Sequence, residues 1–303
     1  MWNKISASVK KTLALFVLAT GLSLNAADNP PGPTSAGGTN STVQVPPNPL
    51  TPDYTAAPLP GWERKFTAFQ FKTLAEDGHV LPYRFYQPVP VAEGKKYPLV
   101  VFFHGAGERG LDNRYQFFRF KGVTNFWEKH PCFIIAPQCP PKIGNQDGES
   151  TWVQTGFGAP SHTMKAVPPW PMRLARQVLE ETVAENPIDT NRIYVTGLSM
   201  GGFATWDILQ RDPEKFAAAM PVCGGADAAF AAKLAHIPIW VFHGSADTTV
   251  QPRRSRDMVA ALVAAGGHPK YTEYPGVGHG AWDPTYSNME VWDWLFAQTR
   301  SAP

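Results

Sequence analysis

A serine flanked by glycines, in the segment Gly197–Gly201 that reads GLSMG, is the first residue of this chain that could do chemistry. A serine hydroxyl becomes a useful nucleophile when a neighbouring base takes its proton and a third group orients that base. The residues before Ser199 are β-branched or aromatic, whereas those after it repeat apolar side chains at helical spacing. The segment therefore predicts a sharp strand-to-helix turn of the G-x-S-x-G type, which lifts the hydroxyl above the sheet edge.

Two later segments supply an acid and a base in a suitable order. Asp247 follows the apolar run PIWVFHG, and His279 follows the run KYTEYPG. In a fold with a nucleophile elbow, the acid and then the histidine come after the serine along the chain. We therefore predict Ser199 as nucleophile, Asp247 as acid and His279 as base. Asp227, which also follows a predicted strand, is the alternative acid.

The segment HGAGERG follows the apolar run YPLVVFF and is rich in glycine. Serine-based acyl transfer needs two backbone amides aimed at the oxygen that becomes negative. We predict that these amides belong to Met200, directly after the serine, and to Ala106, with Gly105 nearby. His104 and His243 each end a predicted strand before a glycine, and both are predicted to brace backbone there.

No pattern in the sequence indicates a metal or a cofactor. The chain has no H-x-x-x-H or C-x-x-C motif and no group of carboxylates that suggests a metal site. We therefore expect chemistry that depends on side chains and backbone amides alone, without a metal ion and without a cofactor.

The elements that must position these residues alternate between strand and helix patterns. The runs 97–105 and 132–138 are almost wholly apolar, as strands buried on both faces should be. Strands are also predicted at 66–71, 81–88, 192–198, 216–222, 238–243 and 270–274, and helices at 171–185, 200–211, 253–265 and 287–298. This alternation predicts the α/β fold class, with a mostly parallel sheet covered on both sides and its chemistry at the carboxyl ends of the strands.

The N-terminal part of the chain differs from the rest. Residues 1–27 combine lysines, an apolar run at 13–24 and small residues at the end, which predicts an export signal peptide. An uncleaved anchor is the alternative. Residues 28–60 contain nine prolines and almost no apolar periodicity, so we predict a disordered or stiff linker. The folded catalytic domain is predicted over 61–303, in a protein exported to the periplasm or the extracellular medium.

Charge and cysteine content narrow the classes of partner. Without residues 1–27, which hold three of the 27 basic residues and none of the 25 acidic ones, the net charge is 24 minus 25, or −1. Such a chain is not predicted to bind nucleic acid, nor a membrane once the signal is removed. Export permits a disulfide between Cys132 and Cys139. With Cys223 the chain has three cysteines, and this odd number does not indicate a disulfide framework. The alternative is that all three are small side chains of the core.

Four segments, VFFHGAGERGLDN, GLSMGGFATWDIL, VFHGSADTTV and GVGHGAWDPTY, together resemble the α/β-hydrolase superfamily. The nearest branch is that of the exported carboxylesterases, labelled phospholipase/carboxylesterase or predicted peptidase and related to feruloyl and polyester-degrading esterases. The resemblance covers about residues 61–300. It implies a three-layer sandwich, an eight-stranded sheet with antiparallel N-terminal strands, and a serine esterase that uses the residues predicted above.

Two aromatic segments, 108–130 and 139–170, are predicted to form walls of the site. Trp152, Trp282 and Arg109 are the predicted substrate-binding residues, and aromatic walls suit sugar rings or phenolic acyl groups. We expect a small ester or a polysaccharide ester, feruloyl or acetyl, as substrate. The alternatives are a serine peptidase on the same fold, which usually carries an extra gating domain, and a non-catalytic glycan-binding module, which would be expected to lose one of the three reactive residues.

Overall fold

The computed structural model describes residues 61–120, 122–141 and 150–300. The predicted signal peptide, 1–27, and the predicted linker, 28–60, lie outside these ranges. The strands within them are β1 Gln70–Glu76, β2 His79–Tyr86, β3 Tyr97–Phe103, β4 Phe133–Pro137, β5 Ile188–Leu198, β6 Ala218–Val222, β7 Trp240–Gly244 and β8 Lys270–Tyr274. The helices are α1 Phe126–Lys129, α2 Trp170–Glu185, α3 Met200–Arg211, α4 Ala231–Leu234, α5 Arg253–Ala264, α6 Trp282–Ser287 and α7 Met289–Phe296.

In the described part of the chain, eight strands form one sheet in the order β1-β2-β4-β3-β5-β6-β7-β8. The β1–β2 and β2–β4 pairs are antiparallel, and the remaining neighbours run parallel. This topology confirms the predicted α/β fold with antiparallel N-terminal strands. The carboxyl ends of β3, β5, β7 and β8 therefore meet at one edge of the sheet, where their loops can build a common site.

Helices cover both faces of the sheet. On β3, Leu99 and Val101 pack into the apolar cluster that includes residues of α2 to α5, whereas Val100 and Phe102 pack into the cluster with α1, α6 and α7. Successive strand residues point to opposite faces, so a strand between two helical layers must be apolar throughout. The fold is the predicted three-layer sandwich.

The structure corrects the first predicted strand, 66–71. Residues Gly61–Phe66 form a 3₁₀ helix, and β1 begins only at Gln70. Phe66 and Phe69 both point into the core, where their rings pack edge to face. The apolar residues that suggested a strand are therefore core contacts of a helical turn and its connection.

All three cysteines, Cys132, Cys139 and Cys223, are buried and free. The structure thus supports the interpretation of these residues as small core side chains and does not contain the Cys132–Cys139 disulfide. Among the described helices, none combines the length and the apolar character that crossing a bilayer requires.

A buried ion pair attaches the first helical turn to the sheet. The Arg84 guanidinium donates to the Glu63 carboxylate at 2.8 Å and to the carbonyls of Phe66, Phe69 and Asn113. Neither charged side chain has significant exposure. Burial lowers the pKa of Arg84, and the hydrogen bond from Arg84 to Glu63 opposes this shift. Several acceptors therefore stabilise the Arg84 cation at once, and the buried Glu63 carboxylate depends on that cation as its hydrogen-bond donor.

We expect Arg84→Met to lower the free energy of unfolding by about 3–5 kcal/mol, because it leaves Glu63 buried without its hydrogen-bonded cation. Urea unfolding at neutral pH measures the change. Arg256→Met, which removes the exposed partner of Glu273, is the control and should leave the free energy of unfolding nearly unchanged, since exposed ion pairs contribute little. Adding Glu63→Gln to Arg84→Met should restore part of the loss. A loss for Arg84→Met as small as that of the control would contradict this account.

Candidate active site

Ser199 occupies a strained turn between β5 and α3. Its backbone has φ 55° and ψ −119°, a region that residues with a side chain rarely adopt. The turn is held on both sides, since the Ser199 amide donates to the Val222 carbonyl at 2.9 Å and the Ser199 carbonyl accepts from the Phe203 amide at 3.1 Å. The predicted strand-to-helix turn at Ser199 is present.

The elbow glycines are required because backbone segments touch there. A Cβ atom on Gly201 would lie 2.0 Å from the Phe103 carbonyl oxygen at the end of β3. A Cβ atom on Gly197 would lie 2.3 Å from the Gly201 carbonyl oxygen. Only glycine fits at either position, and the close contact holds the serine turn beside the loop that follows β3.

The structure brings the three predicted side chains together. The His279 Nε2 atom lies 2.8 Å from the Ser199 Oγ atom, and the His279 Nδ1 atom lies 2.6 Å from an Asp247 carboxylate oxygen. An ionised carboxylate only accepts hydrogen bonds, so Nδ1 carries the imidazole proton and Nε2 accepts the serine hydroxyl. This arrangement can withdraw a proton from Ser199 and hold it on His279.

The Asp247 carboxylate is kept ionised by its surroundings. Burial alone would raise the pKa of Asp247, but hydrogen bonds from His243, His279 and the Val250 amide hold that pKa well below its usual range. The Thr249 and Val250 amides donate to one oxygen, at 2.8 and 2.9 Å. The other oxygen is therefore left to the imidazoles.

His243 is the second imidazole on that oxygen. Its Nε2 atom lies 2.8 Å from the Val250 carbonyl and 3.2 Å from the Asp247 carboxylate. A carbonyl only accepts, so Nε2 is protonated and Nδ1 accepts the Ser255 hydroxyl at 2.7 Å. The predicted contact with backbone is confirmed, and the contact with Asp247 was missed. The spacing of four residues between His243 and Asp247 across a strand end is the signal that could have indicated it.

The predicted oxyanion amides border the serine. A Cβ atom on Gly105 would lie 3.4 Å from the Ser199 Cβ atom, so the loop after β3 touches the elbow. Met200 begins α3, and the first amides of a helix lack a partner within the helix. Within the described residues, neither the Ala106 amide nor the Met200 amide donates a hydrogen bond. Both amides are thus open to an acceptor.

Cys223, His243 and Asp247 place potential metal-binding atoms within 4.8 Å of one another. These atoms are already used in hydrogen bonds. The Cys223 thiol faces the His279 carbonyl at 3.6 Å, and burial raises the pKa of that thiol. His243 Nε2 holds its proton against the Val250 carbonyl. A protonated thiol and a protonated imidazole nitrogen do not fit a metal site.

The predicted substrate-binding residues have different environments. Trp152 is wholly buried and donates from Nε1 to the His104 carbonyl at 3.2 Å, so its prediction as a substrate contact was wrong. Trp282 is almost buried and meets the His279 ring edge-on, with centroids 5.2 Å apart. Arg109 is half-buried and donates to the Ala106 carbonyl. The alternative acid, Asp227, instead accepts from the Ala229 and Met164 amides.

His104 fixes the loop after β3 in its neutral form. The Cys139 amide donates to His104 Nε2 at 2.9 Å, so Nδ1 carries the proton and donates to the Gly105 carbonyl at 2.6 Å. Burial lowers the pKa of His104 to about 3. The free histidine has a pKa of about 6.5, so below that value the unfolded chain binds a proton that the folded chain excludes.

We therefore expect stability to fall as the pH drops from 6.5 towards 3, with His104 contributing up to about 1.4 kcal/mol per pH unit. Urea unfolding measured at several pH values gives the slope. His104→Gln should reduce the slope of unfolding free energy against pH by the equivalent of up to about one bound proton. His268→Gln, at an exposed imidazole, is the control and should keep the slope of the unmodified protein. Equal slopes for the two variants would refute the role given to His104.

Several known proteins are similar to this chain. A thermostable esterase of solved structure is 39% identical, with a TM-score of 0.68 over 77% of this chain and 64% of its own. Poly(3-hydroxyalkanoate) depolymerase C of Paucimonas lemoignei is 26% identical over 46% of this chain and 31% of its own. A bifunctional acetylxylan esterase/xylanase of Neocallimastix patriciarum is 37% identical over 22% and 10%. Each match spans less than two thirds of the relative's own length.

The family profile described as phospholipase/carboxylesterase matches residues 86–291, which is more than half of the chain. The match includes the serine turn and the loops that carry Asp247 and His279. The fold and the esterase of solved structure agree with it. This chain belongs to the phospholipase/carboxylesterase family of the α/β-hydrolase superfamily.

Proposed function

We propose that the protein is a serine esterase that cleaves carboxylic esters through an acyl-enzyme. His279 accepts the Ser199 proton as the serine oxygen attacks the ester carbonyl, and Asp247 stabilises the imidazolium that forms. The carbonyl oxygen becomes negative and is bound by the Ala106 and Met200 amides. His279 then gives its proton to the departing alcohol, so the ester C–O bond breaks and the acyl group stays on Ser199.

Water completes the cycle on the same residues. His279 takes a proton from water as the water oxygen attacks the acyl carbonyl, and the second tetrahedral oxyanion is bound by the same amides. The proton returns to Ser199 as the carboxylic acid leaves. Every proton is accounted for by His279, so the proposed reaction uses side chains, backbone amides and water.

The observation that carries the proposal is the relay of two short contacts, 2.8 Å from Ser199 to His279 and 2.6 Å from His279 to Asp247. Family membership supports an ester as the substrate. The proposal that the enzyme acts outside the cytoplasm rests on the sequence of residues 1–27 alone.

We expect Ser199→Ala to lower kcat on p-nitrophenyl acetate by on the order of 10⁶, because the remaining residues have no nucleophile to activate. Stopped-assay kinetics measure the loss, and thermal unfolding verifies that the variant is folded. A fluorophosphonate should label the unmodified protein at Ser199, as located by peptide mass spectrometry. Undiminished ester hydrolysis by the Ser199→Ala variant would rule out the proposed mechanism.

Three aromatic residues pack together into a cluster that we call the aromatic platform, namely Trp62, Tyr115 and Phe118. Tyr115 is 41% exposed and stacks on Phe118 at 5.0 Å, and Trp62 meets both rings edge-on. The guanidinium of Arg119 lies 5.5 Å from the Phe118 ring and 5.7 Å from the Trp282 ring, which borders His279. We propose that a sugar unit of an esterified polysaccharide rests on this platform.

The nature of the acyl group is supported by similarity. One relative is named an acetylxylan esterase/xylanase, and its match favours an acetyl ester carried on a polysaccharide. The other relative is named poly(3-hydroxyalkanoate) depolymerase C, which makes a poly(3-hydroxyalkanoate) the comparison substrate. Many aromatic residues predicted as site walls are core residues, including Phe117, Phe126 and Trp127, so a feruloyl group has less support than an acetyl group.

We expect Tyr115→Ala to lower kcat/KM on acetylated xylan about three- to tenfold, because stacking on an aromatic ring is worth about 0.5–1.5 kcal/mol. Hydrolysis of p-nitrophenyl acetate should stay within twofold. Val89→Ala, which removes another exposed apolar side chain, is the control for both substrates. Methyl ferulate, poly(3-hydroxybutyrate) and a peptide ester complete the panel. Equal losses on the polymer and on the small ester would contradict the platform.

A further inference from the structure

Glu108 is a buried carboxyl group that the reaction above does not use. It lies in the loop after β3, two residues beyond Ala106, and is only 3% exposed. Burial raises the pKa of Glu108, and Arg119 and the Gly105 amide offset part of that rise. Burying a carboxyl group is costly unless the group makes hydrogen bonds, so its contacts indicate its role.

The carboxyl group of Glu108 meets the backbone at Gly105. The Gly105 amide lies close enough to this carboxyl group to lower its pKa. A Cβ atom on Gly105 would lie 2.8 Å from the Glu108 Oε2 atom and 3.4 Å from the Ser199 Cβ atom. The Glu108 carboxyl group and the Ser199 turn therefore both pack closely against the Cα atom of Gly105.

The Gly105 carbonyl is held as well. His104 Nδ1 donates to it at 2.6 Å, and the Glu108 amide donates to it at 3.3 Å. In a trans peptide the C=O and the N–H that follows it point in opposite directions. A fixed Gly105 carbonyl therefore fixes the direction of the Ala106 N–H, which is one of the two proposed oxyanion donors.

Arg119 connects this loop to the histidine side of the site. Its Nε atom lies 3.5 Å from a Glu108 carboxylate oxygen, and its guanidinium lies 5.7 Å from the Trp282 ring. The Trp282 ring meets His279 edge-on at 5.2 Å. The buried carboxyl group thus has a cation beside it, and that cation also contacts the aromatic residue next to the base.

We propose that Glu108 is a positioning residue, which holds the Gly105–Ala106 peptide so that the Ala106 amide faces the substrate carbonyl oxygen. This inference deepens the proposed esterase function and rests on it. Glu108 contacts neither the substrate nor the reacting atoms. Its effect is on the transition state, where the carbonyl oxygen is most negative, and not on binding of the uncharged ester.

Glu108→Ala should lower kcat on p-nitrophenyl acetate by on the order of 10², the effect of losing one oxyanion donor, with KM within twofold. Glu108→Gln keeps the shape and one acceptor, so it should lose no more than about tenfold. A trifluoromethyl ketone forms a tetrahedral adduct with the serine. Its affinity should fall more in Glu108→Ala than in Glu108→Gln, as expected for kcat. Asp207→Asn is the matched control, since Asp207 is equally buried and pairs with Arg211 on α3.

Hydrogen exchange at the Gly105 amide, followed by NMR, needs no substrate. We expect exchange at this amide to become at least about tenfold faster in Glu108→Ala but not in Asp207→Asn, because only the first variant removes the buried carboxyl group that packs against Gly105 and shields it from water. Unchanged Gly105 exchange in a folded Glu108→Ala protein would overturn the inference even if no ester were hydrolysed. Unchanged kcat in an active Glu108→Ala enzyme would also overturn it, whereas loss of the esterase proposal would appear as an inactive unmodified protein.

Discussion

The close contact between the end of β3 and the start of α3 is the constraint on which the site depends. The Phe103 carbonyl occupies the space that a side chain at Gly201 would need. A side chain at Gly197 would in turn clash with the Gly201 carbonyl. Because the two segments touch, Ser199 adopts a strained conformation with positive φ, and the loop after β3 is placed beside it. The proposed nucleophile and the proposed oxyanion donors are therefore positioned by the same backbone contact.

The charged environment of Asp247 depends on a second close contact between backbone segments. A Cβ atom on Gly244 would lie 2.2 Å from the Gly278 carbonyl, so the loops after β7 and β8 pack backbone to backbone. This contact brings His279 onto a carboxylate that two amides and His243 already stabilise. An ionised acid in a buried setting favours the imidazolium that forms during proton transfer.

The reactive residues could be predicted because their positions follow from chain order. Ser199, Asp247 and His279 each end or follow a parallel strand, and parallel strands end at the same edge of the sheet. Trp152 could not be placed in this way, since a tryptophan in a long loop has the same sequence pattern whether it lines a cleft or donates to the His104 carbonyl. Glu108 escaped because its role depends on how its buried carboxyl group is oriented toward Gly105 and Arg119, which a glycine-rich loop pattern does not encode. For His243, the spacing of four residues to Asp247 was the local signal of their contact.

The three thiols described above are buried, free and packed among apolar neighbours. The described part of the fold is therefore held by apolar contacts, hydrogen bonds and ion pairs, with no covalent cross-link. The described fold therefore needs no oxidant to be completed, because none of its thiols has to pair.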